Sequence, residues 1–138
     1  MGAARKAKAG AEEGMIYFGA RIPKKTRLAL ERYADERRLS SSAAAAQLLE
    51  EGLRMERFPG IDFRWTPSGR KAHVTGTGLA AWEMHMIWES HRKSVEKVLK
   101  NYPHVSAAQI QAGAAYIEAH REERPSMERP VFARAVKV

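Results

Sequence analysis

The stretch MIYFGARIPKK, Met15 to Lys25, constrains the fold more than any other part of the chain. Ile16, Phe18, Ala20 and Ile22 alternate with Tyr17, Gly19 and Arg21, the two-residue period of a strand with one apolar face. Pro23 ends the run and is acceptable as the first residue of a following helix. No second strand-like run lies close by in the chain, and a strand alone in water leaves both edges open. Within this chain the candidate partner is the hairpin further along, around Phe63.

Two helices are expected after the strand. The first runs from about Lys24 to Arg38, with Leu30, Tyr33 and Ala34 on its inner face. RLSSS, Arg38 to Ser42, then supplies a turn with several hydroxyls able to cap a second helix. Ala45, Leu48, Leu49 and Leu53 recur at helical spacing on that helix, which is expected to end near Arg57.

The charge balance narrows the partners. The chain of 138 residues carries 24 Lys and Arg against 16 Asp and Glu, a formal charge of +8. Such an excess suits nucleic acid, an acidic protein or an anionic membrane surface. No apolar run approaches the ~20 residues of a membrane span, and no signal-peptide pattern is visible, so a cytoplasmic, nucleoid-associated protein is expected. With no cysteine, disulfides and thiolate metal sites are excluded. Residues 1–14 hold only alanine, glycine and charged residues after Met1, which predicts a disordered basic arm with Arg5, Lys6 and Lys8 available to track DNA.

From Phe58 the pattern changes. Ile61, Phe63 and Trp65 alternate, TPSG marks a tight turn, and Ala72 and Val74 resume the alternation, predicting a β-hairpin with Arg70 and Lys71 near its tip. TGTG is expected to act as a hinge before a helix from Leu79 to His91. Trp82, Met86 and Trp88 cannot all face one way on that helix, so several elements surround it or one face meets a partner. Ser94 caps a short helix that stops before Pro103. Ser106 and Gln109 form a capping box, with Val105 and Ile110 placed as a hydrophobic staple. Ile110, Ala114 and Ile117 stripe the last long helix, giving a helix-turn-helix outline. The tail, 125–138, is expected to be extended.

The strand, the Arg-x-Pro exit and the two helices, residues 15–57, resemble the ribbon-helix-helix DNA-binding family. The resemblance implies a strand paired antiparallel with its copy in a homodimer, or a higher oligomer on DNA, and laid in the major groove of double-stranded DNA. It implies that Tyr17, Gly19 and Arg21 face base edges, although Gly19 departs from the polar reader usual there. Ser40, Ser41 and Ser42 would hold a phosphate at the second helix's start. Lys24, Lys25 and Arg27 could add phosphate contacts. Residues 58–124 resemble the VapB-like (DUF433-like) antitoxin family through FPGI, GTG and above all NYPHVSAAQIQAGAAY. That family usually has an arginine where Gly78 stands. Its members are commonly paired with a PIN-like ribonuclease toxin.

Metal and catalytic signals are weak. His85 and His91 are six apart, no H-x-x-x-H spacing occurs, and His85 with Glu89 reads as a surface pair. No enzyme activity, cofactor or metal is expected. The sequence thus predicts a mainly α protein with short β elements. Its expected function is a DNA-binding antitoxin that represses its own operon and neutralises a ribonuclease toxin. Trp82, Met86, Trp88, Arg129, Phe132 and Arg134 are the candidate toxin contacts. The alternative is a stand-alone transcriptional regulator or nucleoid-associated protein that oligomerises on DNA, and a pure adaptor is a third class.

Overall fold

The computed structural model describes residues 14–125. The protein is mainly helical, with five α-helices and one small two-stranded antiparallel sheet among these residues. The basic arm and the tail positions Arg129, Phe132 and Arg134 lie outside them. The chain divides into two compact units at Ala44/Ala45, inside the second helix and ahead of the Arg57 boundary read from sequence.

In the first unit, residues 15–23 run without regular secondary structure into α1 (Lys24–Glu36). Pro23 is the N-cap rather than the first helical residue. It is extended (φ −61°, ψ 148°), and its carbonyl accepts from Thr26 and Arg27 at 3.0 and 3.1 Å. Proline suits this place because the residue needs no N–H. The helix stops at Glu36, short of the expected Arg38, because Arg38 takes a left-handed conformation (φ 57°). Leu39 N–H then bonds Ala34 C=O and Arg38 N–H bonds Asp35 C=O, which is a Schellman stop. α2 (Ser41–Arg57) begins behind Ser40, whose hydroxyl accepts the Ala43 N–H at 3.0 Å. Among the described residues of this unit, Ala34 and Ala44 are buried.

The face of α2 expected to be apolar and covered is largely open. Ala45 is exposed, Leu48 is half-buried, and Leu49 and Leu53 are 53% and 63% exposed. Leu49 and Leu53 lie one turn apart on the same side of the helix.

In the second unit, β1 (Ile61–Thr66) pairs with β2 (Gly69–Val74) in the register Ile61 to Val74 through Thr66 to Gly69. The turn closes through Gly69 (φ 109°), where a side chain would be strained. Ile61, Ala72 and Val74 are buried, whereas Trp65 is 41% exposed because the inner face runs out toward the hairpin tip. Thr75–Gly78 is a bonded turn and not a hinge. Thr77 Oγ1 donates to Val74 C=O at 2.8 Å and accepts from Leu79 N–H at 3.0 Å, while Val74 N–H bonds Leu79 C=O.

This turn delivers the chain into α3 (Ala81–Ser90), whose start is fixed by Glu83 accepting the Ala80 N–H at 2.8 Å. α4 (Val95–Asn101) is capped by Ser94, and α5 (Ala107–Ala119) begins with the reciprocal Ser106–Gln109 capping box read from sequence. A 3₁₀ turn, Arg121–Glu123, follows. α3 and α5 pack on each other and on β2, and the core between them is Ile61, Val74, Met84, Val98, Ile110, Tyr116 and Ile117.

The crossing of α3 and α5 depends on Gly113. A Cβ there would sit 2.8 Å from both Cβ and Cγ of Met84 and 3.1 Å from Val74 Cγ2. Those are buried atoms in a close-packed core, so the helices must separate to admit a methyl group. Gly113→Ala is expected to destabilise the protein by about 1–3 kcal/mol despite the better helix propensity of alanine. Urea denaturation monitored by tryptophan fluorescence measures this.

Candidate nucleic-acid and partner interfaces

The residues expected to face DNA are all present at the surface of the first unit. Met15, Ile16, Tyr17 and Phe18 are 91%, 82%, 92% and 73% exposed, and Gly19 and Arg21 are exposed as well. Tyr17 lies along the backbone of Gly19: a Cβ on Gly19 would stand 3.1 Å from the Tyr17 hydroxyl and 3.3 Å from its ring. Residues 17 and 19 thus share a side of the segment, as a strand period requires. Lys24, Lys25 and Arg27 occupy the first turns of α1 and are exposed, with Arg27 in an i,i+4 pair to Glu31 at 2.8 Å. Ser40 is the cap of α2, and Ser41 and Ser42 are its first two residues.

From Met15 to Leu30 the chain has four cations, Arg21, Lys24, Lys25 and Arg27, and no acid. Within the described residues the sheet contains only β1 and β2, and residues 15–23 carry no regular secondary structure.

The second unit holds polar groups that the sequence did not mark. Glu51, 7% exposed, takes a two-pronged guanidinium contact from Arg70: Nε is 3.1 and 3.0 Å from its two oxygens and Nη2 is 2.9 Å from Oε1. One turn on, Arg54 donates to the Tyr116 hydroxyl and to Glu123, each at 2.9 Å, while the same hydroxyl donates to Glu123 at 2.8 Å. Burial, then the bond to the Glu123 carboxylate, pushes the Tyr116 phenol well above its ordinary 10.0. It stays a neutral donor, and α2, α5 and the 3₁₀ turn are tied at one oxygen. A groove of about 690 Å³ opens beside these pairs, lined among others by Gln47, Arg70, Lys71, Trp82 and Pro125. Trp82 and Trp88 are half-buried and pack against the core, and Met86 is half-buried too, so several elements do surround α3.

His85 is not a surface residue. It is fully buried, between α5 and the segment after the 3₁₀ turn. Arg124 Nη1 lies 2.8 Å from its Nδ1 and 2.7 Å from Glu89 Oε1, and Glu118 Oε2 lies 2.8 Å from its Nε2. A guanidinium only donates, so Nδ1 accepts and Nε2–H donates to Glu118. His85, Glu89 and Glu118 bring ligand atoms within 4.8 Å of one another. A divalent ion does not fit this arrangement well, because the Nε2 proton already serves Glu118 and the Arg124 cation already satisfies Glu89. A second grouping, His120, Glu122 and Glu123, is partly exposed, and Glu123 is committed to Arg54 and Tyr116.

Of this network only the His85–Glu89 spacing was visible in the sequence. Glu118 and Arg124 join it through the packing of α5 on α3. No protein-family model, curated protein or solved structure matches the chain.

The Glu89 carboxylate is held below its ordinary 4.5 chiefly by the hydrogen bond from Arg124, which outweighs the opposing effect of burial. A depressed carboxylate binds its proton less well folded than unfolded. Its contribution is therefore complete above about pH 4.5 and disappears as pH falls through the lower folded value. Glu89→Gln is expected to lower stability by about 1 kcal/mol at pH 7 and to flatten the loss on the acid side. Thermal unfolding followed from pH 7 to pH 3 provides the comparison.

Proposed function

We propose that this chain is the DNA-binding antitoxin of a type II toxin–antitoxin module, acting as a ribbon-helix-helix homodimer that represses its own operon. The observation that carries the reading is the exposure of Met15, Ile16 and Phe18, at 91%, 82% and 73%, directly ahead of four cations with no acid among them. Soluble proteins rarely leave such a contiguous apolar run uncovered without a partner for it. A second copy supplies both the missing strand edge and an apolar counterpart. The open Leu49–Leu53 stripe of α2 supports the same association, since four helices from two copies can cover the apolar face of the ribbon.

In this reading Ile16, Phe18, Ala20 and Ile22 face the dimer core, and Tyr17, Gly19 and Arg21 face outward into the major groove. Arg21 donates two parallel bonds to guanine O6 and N7. The α2 amino terminus behind Ser40 and the α1 cations hold the flanking phosphates. The second unit meets the toxin, with the groove beside Trp82 as the contact surface. The resemblance of residues 58–124 supports a PIN-like ribonuclease as that partner.

Two variants test the DNA half. Phe18→Ala removes the largest side chain of the proposed ribbon core and is expected to weaken the dimer by about 3 kcal/mol or more. Sedimentation equilibrium then shows a shift from twice toward once the 15.5 kDa chain mass. Arg21→Ala keeps the dimer but is expected to lose about 1–3 kcal/mol of discrimination between the upstream DNA of its own reading frame and random duplex. Unchanged operator preference in gel-shift titrations would remove Arg21 from the groove. For the toxin half, co-expression with the product of the adjacent reading frame should rescue growth, and failure to rescue leaves a DNA-binding regulator without a toxin.

A further inference from the structure

The turn between α3 and α4, with α4 itself, carries a charge cluster that the ribbon does not use. Arg92, Lys93, Lys97 and Lys100 are all exposed, and Glu96 is the one acid from His91 to His104. Among the described residues none of the four is in an ion pair with a carboxylate; Lys93 instead places its ammonium 5.5 Å from the centroid of the Trp88 ring. Val98 is fully buried, with Val95 and Leu99 packed beside it, so Lys97 and Lys100 stand on the opposite side of α4. The helix dipole favours Lys100 in the last turn but not Lys97 near the start.

The backbone adds an independent observation. Arg92 and Lys93 are consecutive left-handed residues, at φ 58° and 59°. They are held there by Arg92 N–H to Glu89 C=O at 3.0 Å and Lys93 N–H to Trp88 C=O at 2.8 Å. Glycine or asparagine occupies such positions with less strain. Part of the Lys93 charge is met inside the chain, by the Trp88 ring and the nearby Glu118 carboxylate; Arg92, a long cation at an equally strained position, points to a use for its charge outside its own packing. α5, by contrast, has no lysine or arginine from Ala107 to Ala119 with which to neutralise phosphates.

We propose that this turn and α4 form a second DNA contact, which grips the sugar–phosphate backbone of duplex DNA without reading its sequence. This rests on the reading of the chain as a DNA binder, but it places on the second unit a contact separate from the ribbon. Four neutralised phosphates would each release counterions, giving a salt dependence with a slope of about 0.9 per contact.

The test is the full-length variant Arg92→Gln, Lys93→Gln, Lys97→Gln, Lys100→Gln, titrated against operator and random duplex between 50 and 200 mM salt. The proposal expects binding to both duplexes to weaken about equally, roughly 10-fold or more, and the log–log salt slope to shrink by about 2–4. A slope within about 0.5 of wild type would overturn it, as would loss of binding only to an acidic protein partner. If circular dichroism shows the quadruple variant misfolded, Lys97→Gln with Lys100→Gln leaves the turn intact and should still shrink the slope by about 1–2.

A second pair, Arg92→Gly with Lys93→Gly, should raise Tm while weakening DNA binding, opposite changes that a purely structural role for these side chains does not give. Arg21→Ala assayed in parallel separates the two readings. If Arg21→Ala retains operator preference while the lysine variant flattens the slope, the ribbon fails and this surface stands. If Arg21→Ala loses preference and the slope is unchanged, this surface fails and the ribbon stands. A wild-type protein that binds no duplex at 50 mM salt sinks both.

Discussion

Between Met15 and Ile22, Met15, Ile16, Tyr17, Phe18 and Ile22 present their side chains to water, and the segment carries no regular secondary structure. Full burial of residues such as Ile16 and Phe18 is worth roughly 1.5–3 kcal/mol each, and the backbone groups of the segment need hydrogen-bond partners once water is removed. Both requirements are met at once when two copies pair edge to edge. The same alternation then forces Tyr17 and Arg21 to the far side. In the proposed dimer, self-association and DNA recognition are therefore two faces of a single strand period.

The second unit solves its burial problem alone. Gly113 lets α3 and α5 approach closely, and the core closes around Met84, Ile110, Tyr116 and Ile117. The polar groups that this brings inside are paired: Tyr116 with Arg54 and Glu123, His85 with Glu118 and Arg124, Glu51 with Arg70. Breaking one partner of such a set leaves the other uncompensated in a poorly solvated place. Exposed cations include those of α4 and the turn before it, and those of the segment Arg21 to Arg27. On the proposed reading, the protein touches DNA through both units and reads it with one.

Local chemistry was the legible part of the sequence. Ser40, Ser94 and Ser106 cap the helices expected of them, because a cap needs only residues three positions apart. The hairpin turn followed from TPSG for the same reason, as did the Ile110, Ala114 and Ile117 stripe. Longer-range facts did not show. His85 reads as a surface partner of Glu89 until α5 and Arg124 close over it. The Thr75–Gly78 turn looks like a hinge until Thr77 is seen bonded at both ends. Arg38 continues the helical pattern but turns left-handed, so α1 ends two residues early. Leu49 and Leu53 sit at core spacing yet remain open, since none of the described residues covers them.

Amide hydrogen exchange of residues 15–22, measured across protein concentration, addresses the paired ribbon most directly. Exchange protection should appear on alternate amides around Phe18 and Ala20 as concentration rises, and fade on dilution with the dimer. Exchange at the rate of an unstructured chain at every concentration, alongside a well-protected α5, would mean that no second copy completes this strand.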